Sequence, residues 1–163
     1  MTSAGKPRVW CNAEVLSDLG TLARDKEPLE TGGCFAGHYV DDSEDVVITN
    51  VIGPGPRAIH MRTRFVADRK FHDDALEELW QRSNRTIRYV GDWHSHPDGA
   101  PGLSSVDKAF MKHALRSRHS YLRYSLVAIV YGDLSQAHFW CLERSRRRFG
   151  FLSGVRTLEV VQY

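Results

Sequence analysis

Residues 87–107, IRYVGDWHSHPDGAPGLSSVD, are the stretch that decides the fold. Aromatic and β-branched residues at its start predict a strand over residues 87–94. Glycines and prolines then interrupt the pattern, and apolar positions at helical spacing predict a helix over residues 104–117. The apolar positions of that helix are Phe110, Met111, Ala114 and Leu115. The stretch therefore predicts a strand, a loop and a helix.

Two histidines at the end of the predicted strand form the first part of a candidate metal site. His94 and His96 are two residues apart, so on a strand both imidazoles point to the same face and can reach one point in space. Asp107 lies in the first turn of the predicted helix, where the loop can fold back to bring its carboxylate to that point. Two imidazoles and one carboxylate suit Zn²⁺, and three protein ligands leave a fourth position for water. The spacing therefore indicates one catalytic zinc ion.

The same residues also suit a structural role. Ser104 and Asp107 have the S-x-x-D spacing of a capping arrangement, and an acidic residue near a helix start complements the helix dipole. No cysteine lies close enough to complete a structural zinc site with four ligands. The two interpretations are compatible, because the start of a helix can hold a carboxylate rigidly.

The segments on either side predict a mixed α/β (α+β) fold. Asn12 is a suitable N-cap for a helix over residues 12–26, and a second helix is predicted over residues 68–83, with Phe71, Ala75, Leu76 and Leu79 on its inner face. A loop of roughly ten residues is expected after the Gly-Pro-Gly-Pro run that begins at Gly53. Predicted strands cover residues 32–39, 46–52, 126–131 and 136–142, and residues 157–163 form a strand or short helix. We therefore expect a central mixed sheet with helices on both sides.

The composition favours a single globular domain over residues 1–163, located in the cytoplasm. The 22 basic and 20 acidic residues are too evenly balanced for a nucleic-acid-binding protein. No apolar run approaches the ~20 residues needed to cross a bilayer, and the first residues lack the apolar stretch of a signal peptide. Three widely spaced cysteines, Cys11, Cys34 and Cys141, indicate buried thiols in a reducing compartment.

Residues 94–107, HSHPDGAPGLSSVD, resemble the signature of JAMM metallopeptidases (MPN+ or JAB-domain proteins), which is H-[ST]-H-P followed by S-x-x-D at the same interval. A second match lies in residues 30–37, ETGGCFAG, where these proteins have a glutamate just before a glycine-rich strand. The resemblance implies the JAB/MPN fold, a curved mixed β-sheet flanked by helices that is cytidine-deaminase-like.

The resemblance also implies roles within a zinc-dependent hydrolase. His94, His96 and Asp107 would be the zinc ligands, Glu30 the general base that activates water, and Ser104 the donor that stabilises the oxyanion. A carboxylate can take a proton from water and pass it to the leaving amine, and a hydroxyl donor can share the developing charge. The role of Glu30 depends on the resemblance, because an isolated glutamate after a proline and a leucine is more typical of an exposed helix end.

In this family the cleaved bond is a peptide or isopeptide bond after the C-terminal tail of ubiquitin or a ubiquitin-like protein. The short chain and its GDWHSHP motif (residues 91–97) resemble the bacterial branch found in ubiquitin-like conjugation and antiphage operons. The implied partners are a ubiquitin-like protein or its conjugates and E1-like or E2-like operon proteins, with no nucleic acid and no membrane. Residues 53–65 and 116–124 are short where polyubiquitin-specific relatives carry clamping insertions, so selectivity for a chain linkage is not expected.

Three other functions are compatible with part of this sequence pattern. A non-catalytic MPN scaffold would lack one or more functional positions, whereas all are present here. A hydrolase that processes sulfur-carrier or other small conjugates would use the same chemistry, and the sequence does not separate it from the main interpretation. A DNA-repair-associated JAB-like domain usually has a different motif. The six other histidines and the tryptophans Trp93 and Trp140 are assigned surface or packing roles. The four arginines of residues 144–148 are assigned to a solvated turn, with contact to an acidic patch on a partner as the alternative.

Overall fold

The computed structural model describes residues 7–116, 121–133, 136–143 and 154–163. The strands within them are β1 (Arg8–Cys11), β2 (Gly32–Tyr39), β3 (Val46–Ile52), β4 (Ile59–His60), β5 (Phe65–Val66), β6 (Arg88–His96), β7 (Tyr124–Tyr131), β8 (Gln136–Glu143), β9 (Val155–Thr157) and β10 (Glu159–Gln162). The helices there are α1 (Ala13–Arg24), α2 (Arg69–Arg82) and α3 (Ser105–Arg116). None of these helices has the length and hydropathy needed to span a membrane. The arginines of residues 144–148 lie outside the described residues.

The main sheet has the strand order β10-β1-β3-β2-β6-β7-β8-β9 and is mixed, as predicted. Strand β1 is parallel to β3 and β10, and β6 is parallel to β7, whereas the other neighbours are antiparallel. Side chains of β7 point alternately to the two faces of the sheet, and each face has its own hydrophobic core. Leu126, Ala128 and Val130 pack in the core that includes α1. Val127 and Ile129 pack in the core that includes α3. Helix α2 packs on the α3 side, so helices cover both faces as predicted.

The last two strands show that the sheet is curved. Strand β9 pairs with β8 at one edge of the sheet, and β10 pairs with β1 at the opposite edge. Only Leu158 separates β9 from β10, and its N–H donates to Phe139 O on β8 at 2.8 Å. The two edges therefore meet at one short segment, which a flat sheet of this width would not allow.

The predicted helices are confirmed, with one error in the face of α2. Asn12 caps α1 by accepting from Val15 N at 2.9 Å. Phe71 was expected on the inner face of α2 but is 39% exposed. The buried residue is His72, whose ring nitrogen bonds Gly53 O at 2.8 Å. Ala75, Leu76 and Leu79 pack against the core as predicted, so only the first position of the inner face is wrong, and it lies at His72, three residues before Ala75.

Two short features of the fold were not predicted. Strand β1 has only four residues and is recognisable only through its parallel partners β3 and β10. The expected loop after Gly53 contains the β4–β5 hairpin, in which Met61 N donates to Arg64 O at 2.9 Å. The prolines and glycines of this segment hide the hairpin because each of its strands is only two residues long.

Strand β6 continues two residues beyond its predicted end, so it includes both histidines of the motif. An irregularity in its pairing with β2 sets Phe35 opposite Gly91 but Ala36 opposite Tyr89. The extra residue, Val90, is a bulge, and a bulge changes which face the following side chains point to. As a result, Asp92, His94 and His96 lie on the same face as Tyr89, between α2 and α3.

Buried side chains bear out the packing roles expected for the cysteines and for Trp93. All three thiols are free and buried, and burial raises the pKa of Cys34 and Cys141, so these thiols are poor nucleophiles. Trp93 is buried in the core around α1, and its indole N–H donates to Ile52 O at 3.1 Å. Trp140 is half-buried and packs against the core around α3.

Candidate metal centre

His94 and His96 converge at the end of β6. Their Nε2 atoms are 3.1 Å apart, and their ring centroids are 4.9 Å apart. Both side chains are largely buried between the sheet and the start of α3. The sequence predicted this convergence from the two-residue spacing, and the structure brings the rings together as expected.

The loop after β6 fixes the orientation of His96. Its Nδ1 lies 2.7 Å from Ala100 O, and a carbonyl oxygen can only accept, so Nδ1 carries the proton. The lone pair of the imidazole is then on Nε2, which points to His94. A metal-binding histidine commonly has its second ring nitrogen fixed in this way.

Asp107 is placed for both roles that the sequence left open, a metal ligand and a helix cap. Its Oδ2 accepts from Ser104 N at 2.7 Å, and Ser104 Oγ accepts from Asp107 N at 3.2 Å. Its Oδ1 lies 3.3 Å from His94 Nε2. Desolvation raises the pKa of Asp107, but hydrogen bonds from His94 and Ser104 outweigh it and lower the pKa to about 2. The carboxylate is therefore ionised and rigidly aimed at the histidines.

The donor set fits a tetrahedral metal ion. The candidate ligand atoms of His94, His96 and Asp107 all lie within 4.8 Å of one another. A tetrahedral ion with bonds of 2.0–2.1 Å separates its ligand atoms by about 3.3 Å, close to the separations of 3.1 and 3.3 Å found here. The three residues can thus hold a metal ion with little rearrangement.

Glu30 lies just before β2, the strand that neighbours β6, and opposite the two histidines. Gly32 on β2 is paired with His94 on β6. The pairing continues one residue further, because Ser95 N donates to Thr31 O at 2.8 Å and Thr31 N donates to Ser95 Oγ at 3.0 Å. The next position in this antiparallel register places Glu30 opposite His96, and side chains of opposite residues share a face. The structure therefore brings Glu30 beside the histidine pair.

The environment of Glu30 affects its carboxyl group. The side chain is half-buried, and this desolvation raises its pKa above the usual value. Charge on His96 and His94 lowers the pKa, and the carboxylates of Asp107 and Asp98 raise it. The net increase makes the carboxylate a stronger proton acceptor next to the metal ligands.

The β4–β5 hairpin holds the main chain of Glu30 from the side opposite β6. Glu30 N donates to Met61 O at 2.8 Å, and the Nδ1 of His60 lies 3.1 Å from Glu30 O. A Cβ at position 32 would lie 2.9 Å from the Phe65 ring and 2.5 Å from Trp93 O, which explains the glycine there. The sequence predicted only a surface or packing role for His60, because no local pattern links residues 60 and 30.

Asp92 is a second residue of this face that sequence reasoning did not single out. It is half-buried two positions before His94, and the Tyr89 hydroxyl donates to its carboxylate. Burial raises the pKa of Asp92 to about 6, although the Tyr89 hydrogen bond and charge on His94 lower it. Its position follows from the bulge at Val90, which has no recognisable sequence pattern.

Comparison with known proteins agrees with this geometry. The chain matches the family described as prokaryotic homologs of the JAB domain over residues 12–144. It is 29% identical over 146 residues to a Sinorhizobium fredii (strain NBRC 101917 / NGR234) protein named "Probable metalloprotease y4qB", covering 88% of each chain. It is 33% identical over 78 residues to an Escherichia coli (strain TW11681) protein named "CD-NTase/cGAS isopeptidase", covering 48% of this chain and 49% of that one.

A solved structure has the same fold. The solution structure of a protein from Desulfitobacterium hafniense superposes with a TM-score of 0.65, covering 95% of this chain and 92% of that one. The sequences are 16% identical, so the likeness concerns the fold alone.

Proposed function

This chain belongs to the family of prokaryotic homologs of the JAB domain, and on that premise we propose that it is a zinc-dependent peptidase or isopeptidase. The bond cleaved is the one that follows the C-terminal tail of a ubiquitin-like protein. The observation that carries the proposal is the convergence of His94, His96 and Asp107, with Glu30 beside them just before β2.

The chemistry of the three residues supports zinc as the metal. Two imidazoles and one carboxylate would suit Zn²⁺, and His94 Nε2 lies 3.1 Å from His96 Nε2 and 3.3 Å from Asp107 Oδ1. Bound Zn²⁺ polarises the scissile carbonyl and lowers the pKa of water to about 7.

Glu30 moves the proton during hydrolysis. Its carboxylate takes a proton from the attacking water as the oxygen bonds to the carbonyl carbon. When the carbon–nitrogen bond breaks, Glu30 returns that proton to the leaving amine. The increased pKa of the carboxyl group suits both steps, because the group must accept and then release the same proton.

Ser104 donates to the oxyanion. Its Oγ accepts from Asp107 N, which leaves the hydroxyl proton free to point out of the helix start toward the substrate. Ser104 is exposed, so a substrate can reach it. Such a donor stabilises the tetrahedral intermediate through a charge-assisted hydrogen bond.

The relatives and the family support the proposed substrate class. Relatives named for isopeptidase activity on CD-NTase or cGAS favour a conjugate in which the tail is joined to a target lysine, within a bacterial conjugation or antiphage system. The partners are then a ubiquitin-like protein or its conjugate and E1-like or E2-like proteins, without nucleic acid or membrane. Processing of sulfur-carrier-type conjugates is the second candidate, because the same donor set would act on a smaller tail.

The test combines metal content with cleavage. The purified protein should contain one Zn²⁺ per chain and should release the reporter from ubiquitin-like proteins that carry a C-terminal aminomethylcoumarin. Chelation should abolish release, and added Zn²⁺ should restore it. A CD-NTase joined to a ubiquitin-like protein is the conjugate to test next. Stoichiometric zinc without cleavage of any tailed substrate would instead indicate a non-catalytic scaffold.

A further inference from the structure

We propose that His60 is a positioning residue that sets the orientation of Glu30 through the main-chain carbonyl of Glu30. This inference rests on the proposed role of Glu30 as the general base. It concerns the β4–β5 hairpin, which the sequence predicted as a loop, and gives one of its side chains a specific task in the reaction.

The hydrogen bond is directional. Nδ1 of His60 is 3.1 Å from Glu30 O, and because the carbonyl can only accept, Nδ1 must donate. The half-buried ring packs against Phe65 with a centroid distance of 5.5 Å, which limits its rotation. The Phe65 ring in turn lies over Gly32, so the donor is fixed relative to β2.

Glu30 is held between two structures that belong to distant parts of the chain. On one side the Thr31 and Ser95 hydrogen bonds join the next residue to β6. On the other side Met61 O accepts from Glu30 N, and His60 donates to Glu30 O. Glu30 precedes the first residue of β2, so these contacts fix its peptide groups where no strand pairing does.

The effect on catalysis follows from the position of Glu30 opposite the ligands. Rotation of the peptide after Glu30 would move its carboxylate relative to His94 and His96, which remain fixed on β6. A displacement of about 1 Å at a reacting group can cost up to about 100-fold in rate. His60 therefore acts on kcat through Glu30 and does not contribute to metal binding.

Two substitutions at His60 distinguish the effect of its hydrogen-bond donor from the effect of its aromatic ring. His60→Phe keeps an aromatic ring against Phe65 but removes the donor, and His60→Asn keeps a donor near the Nδ1 position but removes the ring. We expect His60→Phe to lower kcat about tenfold on the coumarin substrate, with KM and zinc content unchanged, and His60→Asn to retain most of the activity. Hydrogen–deuterium exchange of the peptide that contains residues 30–35 should increase in His60→Phe and stay near the wild-type level in His60→Asn.

A control and a double variant define the mechanism. His72→Ala removes a comparable histidine–carbonyl bond, to Gly53 O, and should lower Tm while leaving kcat unchanged. In a Glu30→Gln background, His60→Phe should cause no further loss, because its effect passes through Glu30.

The outcomes distinguish this inference from the proposed function. Wild-type exchange in His60→Phe, or an equal loss of kcat with and without Glu30, would overturn the inference. If Glu30→Gln retained normal turnover, the general-base role would be wrong, and the exchange data would still show whether His60 holds the segment.

Discussion

The metal side of the site (His94, His96 and Asp107) and the glutamate side (Glu30) are held by different kinds of contact. The three candidate metal ligands lie in one stretch of chain, and the bonds that fix His96 to Ala100 and Asp107 to Ser104 join residues four and three apart. Glu30 is held by His60 and, through its neighbour Thr31, by Ser95, which lies 64 residues from Thr31. The metal side is therefore locally organised, whereas the glutamate side depends on tertiary packing. Substitution of a metal ligand should therefore reduce zinc content, whereas substitution on the glutamate side should lower kcat while zinc is retained.

The largest effect is expected on the metal side. Asp107→Ala removes a ligand and the carboxylate that accepts from Ser104 N, so it should lose most of the zinc and all measurable turnover. Metal analysis and the coumarin assay check both results. The matched control is Asp18→Ala, an exposed acid on α1, which should keep zinc and activity. If the Asp107→Ala variant kept full zinc occupancy, Asp107 would not be a zinc ligand.

Glu30→Gln should show most clearly that catalysis can be lost on the glutamate side without loss of zinc on the metal side. We expect kcat to fall about 100- to 10,000-fold while zinc content stays at the wild-type level, since the amide cannot accept the proton. The exposed Glu27→Gln is the control for a loss of charge nearby. Near-normal turnover in Glu30→Gln would contradict its role as the base.

Ser104→Ala tests a residue that serves the metal side in two ways. Loss of the hydroxyl donor should lower kcat on the order of 100-fold, and loss of the cap should cost about 1 kcal/mol of stability. Ser104→Thr keeps both the cap and the donor and should remain active. A Ser104→Ala enzyme with a lower Tm but normal kcat would leave Ser104 with the capping role alone.

Ser95→Ala should perturb the glutamate side while the ligands stay in place. Thr31 N loses its acceptor in a buried site, so we expect about 1–3 kcal/mol of destabilisation and a kcat about tenfold lower, with zinc retained. Ser125→Ala, a buried serine on β7, is the control and should leave kcat unchanged. Loss of zinc in Ser95→Ala would show that the two sides are not independent.

The smallest effect is expected at Asp68, which joins Arg57 to the start of α2. Desolvation opposes the charged form of Asp68, but hydrogen bonds from the Arg57 guanidinium, Phe71 N and Arg57 N outweigh it and hold the pKa below its usual value. A lowered pKa in the folded state stabilises the protein above the unfolded pKa of about 3.9, and this is lost as pH falls through the folded value. Asp68→Asn should therefore lower Tm by about 3 °C at pH 7 and by progressively less below pH 4. Thermal melts at several pH values measure this, and a constant difference would contradict the ionic contribution.

Most of the fold could be predicted because its elements carry local patterns. Local patterns within a few turns or one strand reveal the cap Asn12, the apolar periodicity of α1 and the continuous apolar run of β7. The inner face of α2 was misjudged at Phe71, since the alternative anchor, His72, is chosen by Gly53 O in a distant segment.

The candidate site divides in the same way. His94, His96, Asp107 and Ser104 follow from spacing within one stretch of sequence, whose local geometry leaves few ways to arrange them. The placement of Glu30 beside them needs the pairing of β2 with β6. The roles of His60 and Asp92 need a docked hairpin and a bulge. Such contacts join residues separated by tens of positions, and they form only when packing has closed the intervening loops, so no local pattern encodes them.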